Sequence, residues 1–399
     1  MRWVSGGVTA PGGFIAAGLN AGIKKSRKPD LSLVVSQERA AAAAVFTVNR
    51  VQAAPVLITK SRVAKGSARA IVINSGCANC LTGTPGMVDA LAVSRAVSQA
   101  LDIADGQVLI GSTGIIGRRL PVEKMVRAVP RLVSRLSVRN HEAAAQAILT
   151  TDLHIKEAAV EISAGSGSIR IGGMAKGAGM IAPSMATMLC VITTDAAISP
   201  ALFTQLLRKA VGASFNRISV DGDMSTNDTV FGLANGRSGV VFSSNSALTR
   251  RFTHALYAVC KRLALMIVQD GEGATKLMEI EVTGARNERE ALSCARQVAF
   301  SPLVKTMLAG SDPNVGRIAG AAGASLAQFD PNKLEIHVSG VKTVANGTAL
   351  DLPNSALRKL LNRPEVPVVI NLHAGKARAC MLTCDLTAEY VRINAGYAT

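Results

Sequence analysis

The sequence predicts a mixed α/β fold, and three observations support that prediction. Short apolar runs, several of them rich in β-branched residues, are bounded by Gly, Ser or Pro, as strands are. Apolar residues at helical spacing lie between these runs. Two later segments alternate apolar and polar residues, a pattern typical of half-exposed antiparallel strands. We therefore expect helices and strands packed in layers.

The elements can be placed along the chain in order. Strands are predicted at residues 31–35, 54–59, 70–74, 107–111, 188–194, 278–282 and 334–339. Helices are predicted over residues 87–101, from Pro200 after a Ser199 cap, and from a cap near Asn245 to Gly271. The acidic segment 221–228 places Gly222 too early for an EF-hand, so it predicts a turn into a helix capped by Ser225 or Thr226.

The charge balance is the unusual feature of the composition. The 399 residues include 44 Lys and Arg against 27 Asp and Glu, a net charge of +17. Residues 1–186 hold 22 basic and 10 acidic residues, and the excess concentrates in segments 24–28 and 118–139. Such a charge raises the hypothesis of a nucleic-acid or membrane partner. Segment 118–139 has none of the aromatic residues on which bases stack, so we expect neither partner.

Four arginines in that segment recur every four residues: Arg127, Arg131, Arg135 and Arg139. Pro130 would break a single helix but suits the first turn of a new one. We therefore expect the arginine stripe on one solvated helical face from Arg131 onward, with a phosphate-binding stripe as the alternative.

The cysteine and histidine patterns predict neither a disulfide framework nor a metal site. Seven cysteines are dispersed in a long chain that opens without an apolar signal segment, which predicts reduced thiols in the cytoplasm. Cys77 and Cys80 form a lone CxxC pair, and the five His complete no ligand pattern. Residues 177–194 are uncharged, but Pro183 and several Gly, Ser and Thr favour burial over a membrane span.

Two segments carry possible chemistry. A Gly-rich stretch from residue 172 runs into Thr187, and cleavage between Ala186 and Thr187 would free an α-amine with a pKa of about 7.7–8.0. That amine could accept the proton of the threonine's own hydroxyl, although a buried strand start explains the same residues. At the end of a predicted strand, Thr113 and the Gly114 N–H could stabilise one oxyanion, or form an ordinary turn.

Taken together, these residues resemble the ornithine acetyltransferase (glutamate N-acetyltransferase) family over nearly the whole chain. The motifs that carry the resemblance are Gly6–Pro11, Ala21–Lys24, Asn74–Gly76, Ser112–Gly114, Thr150–Asp152, Met185–Leu189, Asp221–Asp223, Asp270–Thr275, Asp312–Asn314, Cys384–Thr387 and Asn394–Thr399.

The resemblance implies a self-cleaving fold like that of certain aminopeptidases, related in architecture to N-terminal-nucleophile hydrolases. Cleavage between Ala186 and Thr187 would give an α chain, 1–186, and a β chain, 187–399, assembled as α2β2. We expect a smaller C-terminal subdomain at about residues 285–399.

The resemblance also implies the reaction and its residues. Thr187 would take the acetyl group from N2-acetylornithine and pass it to glutamate, with Thr113 and Gly114 as the oxyanion hole. The residues that match substrate contacts are Thr150, Lys176, Thr187, Glu272, Asn394 and Thr399. Lys176 can pair with a carboxylate and Glu272 with an ammonium group. No cofactor is implied; some family members also accept acetyl-CoA as a co-substrate.

Some positions depart from the family pattern: Cys77, Cys80–Leu81, Ser184 and Val315. Ser184, three residues before Thr187, could change the rate of self-cleavage. The other departures could change packing or the range of acyl donors.

Two alternative functions follow from the same residues. One is a self-cleaving amidase or aminopeptidase, in which water takes the acyl group; the other is a basic nucleic-acid-binding protein.

Overall fold

A computed structural model describes residues 1–165, 167–182, 188–242 and 246–396. Its strands are β1 (Arg2–Val4), β2 (Phe14–Leu19), β3 (Leu31–Phe46), β4 (Ser67–Cys77), β5 (Val108–Ile115), β6 (Lys156–Ala164), β7 (Gly167–Lys176), β8 (Leu189–Thr194), β9 (Ile218–Ser219), β10 (Thr229–Ala234), β11 (Leu277–Ala285), β12 (Glu335–Val338), β13 (Val341–Ala345), β14 (Thr348–Ala349), β15 (Glu365–Asn371) and β16 (Ala377–Cys384). Its helices are α1 (Ala54–Val63), α2 (Gly83–Leu101), α3 (Val122–Ser134), α4 (His141–Ala147), α5 (Pro200–Ala213), α6 (Ala247–Gln269), α7 (Glu288–Phe300), α8 (Pro302–Gly310), α9 (Gly316–Gly323), α10 (Asn354–Leu361) and α11 (Ala388–Gly396).

The first compact unit comprises residues 1–216 and 223–267. In its described part, nine strands form one sheet in the order β1-β6-β7-β8-β10-β3-β4-β5, with β2 also paired to β3. Most neighbours are antiparallel, but β8 and β10 are parallel, as are β4 and β5. This sheet is therefore mixed. The antiparallel pairing predicted for residues 278–282 and 334–339 concerns β11 and β12 of the other sheet, and it is correct in part: β12 is antiparallel to β13 and β15, whereas β11 is antiparallel to β16 and parallel to β15.

Both faces of this sheet are covered, because side chains alternate along the long strand β3. Leu33 belongs to a buried cluster that includes Val93 of α2 and Leu132 of α3. Val34 belongs to a separate buried cluster that includes Ala144 of α4. The strands are thus apolar on consecutive residues, as expected for a sheet buried on both faces.

The second compact unit comprises residues 217–222 and 268–399. Within the described residues, seven strands form a sheet in the order β14-β13-β12-β15-β11-β16-β9. Met278, Ile280 and Val282 of β11 are fully buried in its core, which confirms the alternation predicted there. Strand β12 likewise confirms the strand predicted near residues 334–339.

Several other predicted elements are confirmed. The strands predicted at residues 31–35, 70–74, 107–111 and 188–194 correspond to β3, β4, β5 and β8. The helix over residues 87–101 is part of α2, and the Ser199 hydroxyl caps α5 by accepting the Leu202 N–H at 3.3 Å. Helix α6 matches the helix predicted before Gly271, but its predicted cap, Asn245, lies outside the described residues.

The strand predicted at residues 54–59 is wrong, because these residues begin helix α1. Pro55 occupies the first turn of the helix, where its missing N–H costs no hydrogen bond. Val56, Thr59 and Arg62 are buried, which is helical spacing and not strand alternation.

The prediction for the arginine stripe is also wrong. Helix α3 contains Pro130 in its interior and ends before Arg135, so Arg135 and Arg139 lie outside the helix that carries Arg127 and Arg131. The buried residues Met125, Val129 and Leu132 provide packing on both sides of the proline, which offsets the lost hydrogen bond.

The helix predicted at Ser225 or Thr226 is absent from the described structure. The chain enters β10 at Thr229 instead. Every residue of β10 pairs with both β8 and β3. The backbone hydrogen bonds to these two strands stabilise an extended conformation more than the capping residues stabilise a helix.

Among the described residues, no helix has the length and apolar character needed to cross a membrane. The predicted chains 1–186 and 187–399 stay a prediction, since they depend on a covalent cut and not on how the chain packs.

A substitution at Gly18 of β2 would measure how closely α4 packs against the sheet. An added Cβ would lie 1.9 Å from the Ala143 carbonyl oxygen, whereas one at Gly212 in α5 would meet nothing within 4 Å. We expect Gly18→Ala to lower the free energy of unfolding by about 1–3 kcal/mol because backbone must move. Gly212→Ala should leave it unchanged or raise it by up to about 1 kcal/mol. Urea denaturation measures both, and equal effects would contradict this packing.

Candidate active site

The predicted oxyanion pair lies at the carboxyl end of β5. Gly114 pairs with Gly76 across the parallel β4–β5 ladder. Its φ is +128°, and an added Cβ would lie 2.4 Å from the Gly76 carbonyl carbon and 2.6 Å from the Cys77 nitrogen. Only glycine fits this close approach between the two strands. The neighbouring Thr113 is 2% exposed and Gly114 is half-buried, so the pair lies where the buried strand begins to approach the surface.

Lys176, the last residue of β7, joins two of the predicted site residues. Its Nζ donates to the Thr150 hydroxyl at 2.7 Å and lies 3.5 Å from the Thr113 hydroxyl. The lysine is 2% exposed. The structure therefore brings Thr113, Thr150 and Lys176 together, as the resemblance implied.

The buried carboxylate of Asp152 holds this cluster in place. Its oxygens accept from Lys156 Nζ at 2.8 Å, from the Gly177 N–H at 2.6 Å and from the Thr150 N–H at 3.0 Å, and Lys176 Nζ lies 3.7 Å away. Burial alone would raise the pKa of Asp152, but Lys176, Lys156 and these hydrogen bonds hold it well below its ordinary value. Asp152 therefore stays ionised at neutral pH.

Lys24 is a further cation beside this cluster. Its Nζ donates to the carbonyl oxygens of Pro29 at 2.8 Å and Leu149 at 2.6 Å. Burial lowers the pKa of Lys24 to about 8; Asp30 opposes this change and Lys176 adds to it. Lys24 is thus in electrostatic reach of the lysine that contacts Thr150.

The segment before β10 holds Met188, the residue that follows Thr187 and precedes β8. The Met188 N–H donates to Asp228 Oδ1 at 3.0 Å, and the Thr229 N–H donates to the Met188 carbonyl at 3.2 Å. Asn227 donates to the carbonyls of Ala78 at 2.6 Å and Ser112 at 2.9 Å. The segment therefore connects the chain after Thr187 to the residue before Thr113.

The Asp228 carboxyl is fully enclosed. Its Oδ2 has no hydrogen-bond partner among the described residues. Burial raises the pKa of Asp228 well above its ordinary value, although the Met188 N–H, Ser225 and Lys176 act in the opposite direction.

In the second unit, Glu272 and Asn394 are joined directly. Asn394 Nδ2 donates to Glu272 Oε2 at 2.7 Å and to the Tyr390 carbonyl at 3.0 Å. The Thr387 hydroxyl donates to the Gly273 carbonyl at 2.7 Å, which holds the loop after Glu272 near the start of α11. Glu272 is 9% exposed, so its carboxylate is presented by a fixed loop.

The remaining predicted site residues, Ala186, Thr187 and Thr399, lie outside the described residues, as does Ser184. Of the other departures, Cys77 is buried and its Sγ donates to the Arg118 carbonyl at 3.2 Å. Val315 is 6% exposed in the core of the second unit. Both fill packing positions.

Sequence reasoning gave no role to Asp152, Lys24, Asn227 or Asp228. Asp152 and Lys24 belong to quoted motifs, but their partners are distant in sequence. The signal at Asn227 and Asp228 was the unusual acidic segment, which local capping rules explained as a helix start. Their buried contacts with β5 and β8 account for those residues instead.

The described residues include one cluster of potential metal ligands, His141, Glu142 and Glu157, whose ligand atoms lie within 4.8 Å of one another. His141 Nδ1 and Glu157 Oε2 already hydrogen-bond to each other at 2.9 Å. The absence of a metal from the reaction stays a prediction.

Comparisons with known proteins identify the family. Residues 15–399 match the family model described as ArgJ family. The chain is 46% identical to the arginine biosynthesis bifunctional protein ArgJ of a Synechococcus strain, over 99% of this chain and 98% of that protein. It is 44% identical to the ArgJ protein of Symbiobacterium thermophilum over the full length of both.

A solved structure agrees with this assignment. The crystal structure of the arginine biosynthesis bifunctional protein ArgJ from Bacillus halodurans is 39% identical and matches with a TM-score of 0.50, covering 51% of this chain and 97% of that one. These matches confirm the resemblance read from the motifs. The chain belongs to the ArgJ family, a family of arginine-biosynthesis enzymes.

Proposed function

We propose that this enzyme transfers an acetyl group from N2-acetylornithine to glutamate through an acetyl ester on Thr187. The observation that carries the proposal is the buried Thr113–Thr150–Lys176 cluster, which shares its unit with Met188, the residue after Thr187. A nucleophile, an oxyanion site and a carboxylate-binding cation are the groups that acyl transfer between amino acids needs.

The nucleophile forms when the chain is cut between Ala186 and Thr187. The new α-amine has an ordinary pKa of about 7.7–8.0, so it accepts the hydroxyl proton of Thr187 near neutral pH. Thr187 Oγ then attacks the acetyl carbon, and Thr113 and Gly114 stabilise the oxyanion. The C–N bond breaks as the proton passes to the amine of ornithine, which leaves.

Glutamate reverses these steps. Its amine attacks the acetyl ester, N-acetylglutamate leaves and Thr187 regains its proton. Lys176 binds the α-carboxylate that both substrates carry. In the second unit, Glu272, which accepts a hydrogen bond from Asn394, provides a carboxylate suited to an ammonium group. We further propose cytoplasmic α2β2 assembly of the cut chains, a site that needs no cofactor, and acetyl-CoA as a second donor.

The transfer reaction separates this proposal from the amidase alternative. With N2-acetylornithine alone, we expect a burst of ornithine close to one per site followed by slow release, because water is a poor acceptor here. Adding glutamate should restore turnover and yield N-acetylglutamate. Rapid steady ornithine release that glutamate does not increase would support a hydrolase and contradict the transferase.

Removing the Lys176 charge tests its role in binding carboxylates. We expect Lys176→Met to raise KM for N2-acetylornithine by about tenfold or more, since a charged hydrogen bond contributes about 1.5–3 kcal/mol. The α-carboxamide of the same substrate should show no such loss. Lys209→Met, at an exposed lysine of the same unit, is the control. An equal loss for both substrates would assign Lys176 another role.

Asp228 provides a test of cleavage. Asp228→Asn keeps a side chain of the same shape with an acceptor for the Met188 N–H, so we expect cleavage at close to the wild-type rate. Asp228→Ala removes the acceptor and should slow cleavage by about fivefold or more, since a buried N–H is left unpaired. Pulse-labelled protein followed by intact mass measures the rate, with Thr187→Ala as the uncut control. Cleavage equally slow in the Asn variant, in folded protein, would mean that an ionised carboxylate is required.

A further inference from the structure

One cavity of the first unit, which we call the basic groove, lies between helix α3 of the basic segment 118–139 and residues 20–22, which precede the basic segment 24–28. The groove has a volume of about 380 Å³. The backbone of residues 20–22 forms one wall, and Lys124, Arg127 and Arg131 of α3 line the other. No acidic residue is among its lining residues.

The backbone wall is held by a buried carboxylate. Asp30 is fully buried and accepts the N–H groups of Ala21 at 2.6 Å, Ile23 at 2.7 Å and Lys24 at 3.0 Å. The Asn20 amide donates to the Lys28 carbonyl at 3.0 Å. These bonds fix the loop and place the basic segment 24–28 beside the groove.

Two of the basic side chains of α3 hydrogen-bond to the backbone wall, and each has further N–H groups that these bonds do not use. Lys124 Nζ donates to the Gly22 carbonyl at 3.1 Å, and Arg131 donates to the Asn20 carbonyl at 2.7 Å. Arg127 bonds only weakly to its own helix, at 3.3 Å from the Glu123 carbonyl. A lysine carries three N–H donors and an arginine five, so most donors stay available to a ligand.

We propose that the basic groove binds the phosphate groups of a small polyanion, such as a nucleoside bisphosphate. Two arginine forks and an ammonium group within one cavity suit tetrahedral oxyanions that carry two or more charges. The volume lies at the lower end of the range for small-ligand sites. The groove lacks the aromatic residues on which a nucleic-acid strand would stack.

The groove lies a short distance along the chain from the candidate active site. Lys24 follows Gly22 by two residues, a span of at most about 7 Å. Its Nζ bonds the carbonyl of Leu149, and the next residue, Thr150, contacts Lys176. The phosphates could therefore come from a free phosphate compound or, under the proposed function, from the nucleotide end of an acyl thioester.

Calorimetric titration of the full chain with adenosine 3′,5′-bisphosphate tests the proposal. We expect saturable binding of one ligand per chain that weakens as salt is raised. Lys124→Gln combined with Arg127→Gln should weaken it by about tenfold or more. Arg208→Gln combined with Lys209→Gln removes the same charge from exposed positions of α5 and should change it less than about twofold.

Three further measurements sharpen the result. Arg127→Lys should retain more affinity than Arg127→Gln. Acetyl-CoA should displace the bisphosphate if the source is an acyl thioester, whereas displacement by pyrophosphate alone indicates a free phosphate compound. Thr187→Ala should bind the bisphosphate as the wild type does. The Lys124/Arg127 variant should still transfer acetyl from N2-acetylornithine to glutamate. These two controls allow the proposed groove and the proposed acetyl transfer to fail separately.

The proposal is overturned if no saturable binding is detected, or if both charge-removing pairs weaken binding equally. It is also overturned if an RNA oligonucleotide binds and the bisphosphate does not. Circular dichroism and thermal unfolding of each variant ensure that a loss of binding is not a loss of folding.

Discussion

The Asp152 carboxylate, buried between the ammonium groups of Lys156 and Lys176, is the interaction on which the candidate active site depends. It connects the loop at Thr150, the first residue of β6 and the end of β7. Removing one partner of such a buried pair costs about 3–5 kcal/mol because a charge is left uncompensated. The position of Lys176, and through it the contacts with Thr150 and Thr113, follows from this carboxylate. The fold itself thus sets the position of the Lys176 ammonium group, for which we propose a role in binding substrate.

The sequence suggested the candidate site in two ways. Thr113 and Gly114 were proposed from their place after an apolar strand, whereas Thr150 and Lys176 came from the family resemblance; the structure shows that Thr113, Thr150 and Lys176 lie together, and their roles stay predictions. Asp152 and Asp228 were missed because their roles depend on partners that only the folded sheet brings close. Helix α1 was missed because an apolar run of six residues is compatible with a strand or with a helix, and packing in the folded protein determines which of the two forms. The predicted arginine stripe was wrong because α3 continues through Pro130, where buried side chains stabilise it, and ends at Ser134. Arg135 and Arg139 therefore lie outside the helix.

The net charge of +17 takes on a more specific meaning in the folded chain. Part of it is buried with Asp152, beside which the ammonium groups of Lys156 and Lys176 lie. Another part lines the basic groove, where segments far apart in sequence lie against each other. These two clusters hold part of the charge that first raised the hypothesis of a nucleic-acid partner, and a small-ligand role is proposed for each. Asp30 and Asp152 play the same physical role in both, each fixing a loop from a buried position.

The most direct test of this account is the acetyl-enzyme itself. Cut protein is mixed with N2-acetylornithine without glutamate, quenched, and its β chain examined by intact mass and peptide mapping. The account predicts the mass of one acetyl group on the peptide that begins at Thr187, and its disappearance when glutamate is added before the quench. An active enzyme that never carries acetyl on Thr187, or that carries it on another residue, would contradict it.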